Sequence, residues 1–426
     1  MIICYNPSVK IKDFATSPYT GEAYAEKSME NEHRRRRRRP RREKKKRKLL
    51  LPVLIALVCV GLVLLFATRD SGGEMPTDPA QVNKTVIKLA FGGDLNITDD
   101  VVSAAGSDGS FREAFLDVVH LLSNADLAAL NFEGTFSGGP YGSDSKSAPA
   151  NLATALKRAG VDLVQLANSC AVRGGIGGLL STIDTVKYAG LEPLGAYRSE
   201  EEAEKSRGFT MMEVKGVKIA FVAFTKGLDG MTLPAGSEGC VNLLYKDYDS
   251  TYQTVDEDGI SRIMENVAAA KPDLVVAMLH WGSEFNDTIS KSQEKICKLL
   301  QEKGADVLIG THPHYVQKMV FDKEKGTFVA YSLGDFFGDA TRAGSEYSVI
   351  LDLEVTKNND TGETKVTGFT YTPIFTVRQE GRYLRVMRIK ETMAAYENQY
   401  MDSVPEDVYK AMAYALKRIE ARIKGE

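Results

Sequence analysis

The chain is poor in the residues with which small exported proteins usually staple themselves. It has five cysteines in 426 residues, at positions 4, 59, 170, 240 and 297. So sparse and odd a set excludes a disulfide framework, and an exported domain built from it must be held by its core. Histidines are as few, at 33, 120, 280, 312 and 314. No Ser-His-Asp arrangement is evident, and no local motif pairs a cysteine with a histidine. The glycine-rich "RGGIGG" at 173–178 fits neither the phosphate-loop nor the dinucleotide spacing and reads as a flexible, substrate-facing turn. Solenoid repeats are absent.

Charge is missing from one long run. Leu49 to Ala67, "LLLPVLIALVCVGLVLLFA", is 19 residues without Asp, Glu, Lys or Arg. As a helix it would rise roughly 28 Å, about the hydrocarbon thickness of a bilayer. A buried core helix would carry polar positions on one face, and this run has none. Immediately before it, Arg34 to Lys48 holds 13 Lys or Arg and one acid. That neighbour assigns the basic run to a membrane surface rather than to nucleic acid. The positive-inside rule then keeps residues 1–48 in the cytoplasm and exports residues 68–426. No small-x-small cleavage site follows, and Cys59 has no lipobox before it, so the run reads as a retained, single-pass signal anchor.

The chain therefore divides into a disordered basic tail at 1–48, an anchor at 49–67, a linker at 68–84, an exported domain at 85–390 and a helical segment at 391–426. Beyond residue 48, 38 basic residues face 51 acidic ones, a balance of about −13. Such a surface does not hold a polyanion over its whole extent, which leaves that task to a basic or metal-bearing cleft.

The exported domain alternates strand and helix patterns. "VIKLAF", "DLAALNF", "VDLVQLAN", "VKIAFVAF", "DLVVAMLHW", "ADVLIG" and "TFVAYSLG" read as strands. "FREAFLDVVHLLSNA", "NLATALKRAG", "GGLLSTIDTVKYAG", "ISRIMENVAAAKP" and "SQEKICKLLQEKG" read as helices. The alternation predicts an α/β domain around a central, partly parallel sheet. Between Tyr347 and Ile389 the pattern turns to consecutive strands, predicting antiparallel additions.

Polar residues collect where the predicted strands end. Asp94, Asn131 with Glu133, Asn168, His280 with Trp281 and Glu284, His312 with His314, and Asp335 each follow an apolar run. The carboxyl ends of strands in an α/β sheet share an edge at which ligands bind. Carboxylates, imidazoles and amide oxygens suit divalent metals of the zinc, manganese and iron type. In an extended segment, residues two apart point the same way, so His312 and His314 would face one ion. Against this, a lone Asp or Asn after a strand is ordinarily a turn or cap, and His280 beside Trp281 reads equally as a packed histidine. His120, inside a helical pattern, reads as structural, and His33 as solvated.

These motifs occur together and in order: "GGD" at 92–94, "NFEG" at 131–134, "LAN" at 166–168, "GIGGLLSTIDTVKYAGL" at 175–191, "HWGSEF" at 280–285, "GTHPHYVQ" at 310–317 and "YSLGDF" at 331–336. The set resembles the CapA-type (PgsA-type) capsule-synthesis proteins of poly-γ-glutamate-producing bacteria, over about residues 86–340. The resemblance implies a calcineurin-like metallophosphoesterase-type β-sandwich flanked by helices. It also implies a membrane-associated role in making, exporting or anchoring poly-γ-glutamate, with capsule-synthase membrane subunits and anionic polymer or cell-wall material as partners.

Carried over residue by residue, Asp94, Glu133, Asn168, His280, His312 and His314 match positions expected to line a divalent-metal site (Mn, Zn, Fe or Mg). His280, Glu284, His314 and Cys170 match catalytic positions, and Gln317, Trp281 and Asp335 match supporting or substrate-facing ones. Two positions depart from the family pattern. Asn168-Ser169-Cys170 stands where Asn-Asn-His is usual, and Gly334-Asp335-Phe336 where Gly-Asn-Phe is usual. A thiol is a poor proton donor in place of an imidazole near neutral pH. Three readings of function follow: a capsule-assembly protein with a hydrolase-like or transferase-like metal site, a catalytically degenerate scaffold for polymer or synthase, and an exported metallohydrolase acting on cell-wall peptide or phosphate esters.

Overall fold

The run "VIKLAF" seeds a strand that outlasts its apolar residues. In the computed structural model, which describes residues 83–106, 109–338, 342–378, 384–400 and 404–426, strand β1 extends over Lys84–Asn96. The basic tail, the anchor segment and all but the end of the linker lie outside the described residues. Among the described residues no helix is long and apolar enough to cross a membrane.

Strands β2 (Leu127–Glu133), β3 (Leu163–Gln165) and β4 (Glu192–Leu194) follow β1 in parallel, in that spatial order. The chain then leaves for a second sheet. Its strands are β5 (Thr210–Val214), β6 (Val217–Thr225), β7 (Leu274–His280), β8 (Val307–Thr311), β9 (Met319–Asp322) and β10 (Thr327–Ala330), ordered β5–β6–β7–β8–β10–β9. Within it β6, β7, β8 and β10 are parallel, and β5 and β9 are antiparallel edges. The chain finally returns to the first sheet. There β11 (Asp335–Phe337) pairs with β1 in parallel, and β12 (Tyr347–Asn358), β13 (Thr364–Val377) and β14 (Arg385–Arg388) add antiparallel strands beyond it.

The antiparallel additions are thus where the sequence predicts them; the strand rhythm taken alone gives one central sheet, whereas the chain forms two, as the sandwich implied by the resemblance has. The reason lies in the apolar strands of the second sheet, which are covered on both faces. Ile219, Phe221 and Ala223 of β6, Val276 and Met278 of β7 and Ile309 of β8 share one apolar cluster with Phe91 and Leu130 of the first sheet. The residues between them, Ala220, Val222 and Phe224, Ala277 and Leu279, and Leu308, face a second cluster with Ile260, Met264 and Val267 and with Ile296 and Leu300. Those partners sit on the helices Glu257–Ala270 and Lys291–Glu302. A period of two with apolar residues on both faces therefore builds sheet against sheet on one side and helices on the other.

Three elements differ from their sequence patterns. The helix expected over 111–125 is two short ones, Arg112–Phe115 and Val119–Ser123. Asp117, in the turn between them, is bound by Arg385 of β14 at 2.7 and 3.0 Å. "YLRVMRIK" ends as a strand at Arg388, and the helix Ile389–Glu397 begins directly after it. "TFVAYSLG" stops as a strand at Ala330, because the chain must cross between the sheets to reach β11. Gly93 and Gly334 permit that crossing. A Cβ on Gly93 would fall 1.8 Å from the Gly334 carbonyl oxygen, which accepts the Asp94 amide at 3.0 Å. Gly334 itself sits at φ 79°, in the left-handed region.

Candidate metal centre

The strand ends of both sheets meet. Asp94 of β1 is level with Asn131 of β2 and with Asp335 of β11. His280 closes β7 level with Thr311 at the end of β8. His312 and His314 follow at once. They turn toward one place, as expected, but not as an extended segment: both are left-handed, with φ of 89° and 58° around Pro313. Such backbone is costly for a residue with a Cβ and persists only where surroundings hold it. Here the His312 amide donates to Asp94 Oδ2 at 2.8 Å, and the Phe285 amide donates to the Pro313 carbonyl at 2.9 Å. Phe285 is left-handed too, at φ 53°.

Asp94, Asn131, Glu133, Asn168, His280, His312, His314 and Asp335 are all buried. Their hydrogen bonds form one network. Asn131 Nδ2 donates to Asp94 Oδ1 at 2.6 Å and lies 3.3 Å from His280 Nδ1. Asn168 Nδ2 donates to Asn131 Oδ1 at 3.1 Å and to the Phe132 carbonyl at 2.6 Å, and Asn168 Oδ1 accepts the Cys170 amide. Asn168 thereby clamps Asn131 from behind. Ser169 Oγ donates to Glu133 Oε1 at 2.8 Å, and His314 Nδ1 lies 2.7 Å from Asp335 Oδ1.

Among the described residues, three buried atoms at the centre make no well-formed hydrogen bond: Glu133 Oε2, His312 Nδ1 and His280 Nε2, the last lying 3.4 Å from Glu133 Oε1. Unpaired buried polar atoms are costly and call for an explanation. Donor atoms of Glu133, His312 and His314 lie within 4.8 Å of one another, and so do those of Asp94, His314 and Asp335. Orphaned donors on imidazole and carboxylate, gathered at that spacing, fit a divalent cation of the zinc, manganese or iron type.

The electrostatics follow from burial and crowding. Burial, with Glu133 and Asp335 beside it, pushes the Asp94 carboxyl well above its usual range, and burial raises Asp335 as well. Glu133 is held well below its usual range despite its burial, by the imidazoles of His314 and His280. Burial, reinforced by neighbouring imidazoles, keeps His312 well below 6.5 and also lowers His280. Burial opposes charge on His314, but Asp335, Glu133 and Asp94 raise it to about 10. Cys170 is pushed up to about 12 by burial and then by Glu133, so it is a neutral thiol at physiological pH.

The remaining residues singled out by sequence stand away from this network. Trp281 is fully buried in the second apolar cluster and donates to the Tyr331 carbonyl at 2.9 Å. Gln317 donates to the Asn286 carbonyl at 2.8 Å and accepts from Gln293 at 3.0 Å. Gln293 belongs to the capping box that starts the helix Lys291–Glu302, so Gln317 ties the loop after His280 to that helix. Glu284 is exposed. The glycines of "RGGIGG" open the helix Gly175–Tyr188, and Gly174 packs on Ser137. His120, read from sequence as structural, is exposed beside a surface cavity.

Sequence reasoning passed over Thr311, Ser169, Lys146 and Lys226. Thr311 Oγ1 lies 3.3 Å from His280 Nδ1. Lys146 donates to Asn96 Oδ1 at 2.7 Å, and its charge lowers Asp335 and Cys170. Lys226 donates to the Gly282 carbonyl at 2.8 Å and depresses His280 and His312. A lysine in a loop carries no spacing signal by which it could be found.

Residues 88–340 match the family model described as bacterial capsule synthesis protein PGA_cap. A capsule biosynthesis protein CapA of Bacillus anthracis is 26% identical over 323 residues, spanning 72% of this chain and 73% of that one. A PGA biosynthesis protein CapA of Bacillus subtilis (strain 168) is 25% identical over 316 residues, spanning 72% and 77%. Among solved structures, the calcineurin-like phosphoesterase YfkN of Bacillus subtilis aligns over 78% of this chain and 100% of its own, with a TM-score of 0.43 at 15% identity.

Proposed function

The chain belongs to the bacterial capsule synthesis protein PGA_cap family, and from that premise we propose that it is a membrane-anchored, surface-facing protein of poly-γ-glutamate capsule assembly whose buried cluster holds a divalent cation. The observation that carries the metal reading is the trio of orphaned atoms on Glu133, His280 and His312, ringed by further imidazole and carboxylate. Glu133, His312 and His314, with His280, Asp94 and Asp335 around them, would hold the ion. A bound cation would supply Lewis acidity toward a carbonyl or phosphoryl oxygen, or an activated water. Asn131 and Asn168 orient the ligands, and Ser169 fixes one Glu133 oxygen so that the other remains available. Residues 49–67 would tether the domain, and synthase subunits in the membrane would be its partners.

Elemental analysis of the purified full chain tests the metal. The wild-type protein is expected to retain zinc, manganese or iron, and the His312→Ala, His314→Ala double variant to lose at least nine-tenths of it. Equal, negligible metal in both would sink the site.

A second reading, a scaffold that binds polymer or synthase without chemistry, is favoured by Cys170. Its neutral thiol stands where the family pattern has a proton-carrying imidazole. Cys170→His separates the two. A gain of tenfold or more in hydrolysis of a generic phosphodiester or amide marks a site lacking only its proton carrier. No gain in a folded, metal-loaded variant favours the scaffold.

A further inference from the structure

Beyond β11 the chain comes back over the histidine loop, and the turn it makes there is built onto that loop. Tyr315 Oη donates to the Ala343 carbonyl at 2.8 Å. Gly344, at φ 105°, lies so close that an added Cβ would come 3.1 Å from the Tyr315 ring. The Ser345 amide and hydroxyl both donate to the Arg342 carbonyl, at 3.1 and 2.9 Å, and the Glu346 carboxylate accepts the Gly344 amide. The turn is therefore held although Arg342, its first described residue, is exposed.

The Arg342 guanidinium lies 4.0 Å from the centre of the Phe285 ring. The same ring stacks on His314 with centroids 5.0 Å apart. The Phe285 ring therefore bridges the arginine and an imidazole of the cluster. A face-on guanidinium keeps its N–H edge free for a second partner. Among the described residues Arg342 has no acid and no hydrogen-bond acceptor for that edge. It is a preformed cation one ring beyond the cluster, on a domain that is otherwise acidic.

We propose that Arg342 is a substrate-binding residue: its free edge takes an oxyanion of the substrate, paired through two N–H···O bonds, next to the group offered to the cluster. This rests on the reading of the cluster as the reactive centre in poly-γ-glutamate assembly and adds the residue that holds the anion beside it. A γ-linked glutamate chain carries an α-carboxylate beside every backbone amide, so an anion always flanks the linkage under attack. A phosphate ester would present the same oxyanion chemistry. Phe285 is the spacer that sets the separation between the two subsites. Its left-handed backbone is the strained element that fixes this spacing.

The test is fluorescence anisotropy of a labelled synthetic γ-linked glutamate oligomer titrated with purified full chain at low salt, with inorganic phosphate as a second, competing probe. Arg342→Met, which keeps the apolar stack on Phe285, is expected to weaken oligomer binding tenfold or more with an unchanged melting temperature. Arg342→Lys is expected to recover only part of the loss, because a point charge lacks the paired donors. If phosphate binds wild type and loses to Arg342→Met while the oligomer never binds, the oxyanion subsite stands and its substrate is a phosphate ester. Equal binding by wild type and Arg342→Met, or no binding of either probe by wild type, overturns the proposal. Metal content read on the same samples keeps the two claims apart: Arg342-dependent binding by a metal-free chain would retain the subsite and remove the metal reading.

Discussion

Asn131 is the amide that ties the site together through three side chains. Its amide nitrogen reaches Asp94 and His280, and its oxygen receives Asn168. Removing such a support leaves the ligand in place but free to turn, which ordinarily weakens metal binding roughly 10- to 100-fold. Asn131→Ala is expected to show that loss in a metal titration while staying folded. Unchanged affinity would make Asn131 mere packing. At this scale the sequence was legible in residue type and place: apart from the exposed Glu284, the acids and imidazoles at strand ends are the ones that meet. The backbone was not legible. His312 and His314 converge through left-handed turns imposed by Asp94 and Phe285, partners remote in the chain that no local pattern reveals.

Among the elements, the crossing from β10 to β11 decides whether Asp335 arrives beside Asp94. It depends on the contact between Gly93 and Gly334, where backbone touches backbone. Gly93→Ala would force β1 and β11 apart, at a cost of about 1–3 kcal/mol by the usual scale of overpacking. A matching fall in the urea midpoint is expected, together with loss of bound metal. Metal retention at full stability would show that the strands part without disturbing the acids. The strand and helix rhythm of 86–340 was readable because period two and period 3.6 differ plainly in such apolar runs. The division into two sheets was not. Strands buried on both faces look alike whether helices cover both sides or a second sheet covers one. The strands β4, β5, β9 and β11 are three to five residues long, too short for a period to stand out.

For the molecule as a whole, stability is tied to pH by half-buried acids away from the cluster. Burial raises Asp306 and Asp352 to about 6 each, from an ordinary 3.8. Between those values these two groups hold protons in the folded chain that the unfolded chain has released, so the stability they contribute falls as pH rises from 4 to 6 and levels off above. Both side chains are partly exposed, which limits each contribution to on the order of 1 kcal/mol. The Asp306→Asn, Asp352→Asn variant is expected to gain on wild type progressively over that window in unfolding experiments. A constant difference between the two proteins at all pH values would refute the assignment.

The crossing strand has one more consequence. Asp94, Glu133 and Asp335 all belong to the first sheet, and His280, His312 and His314 all hang from the second. The site is a seam with acid on one lip and imidazole on the other. A cation bound there would act as a rivet between the layers, and its departure would be felt first as slack in the joint.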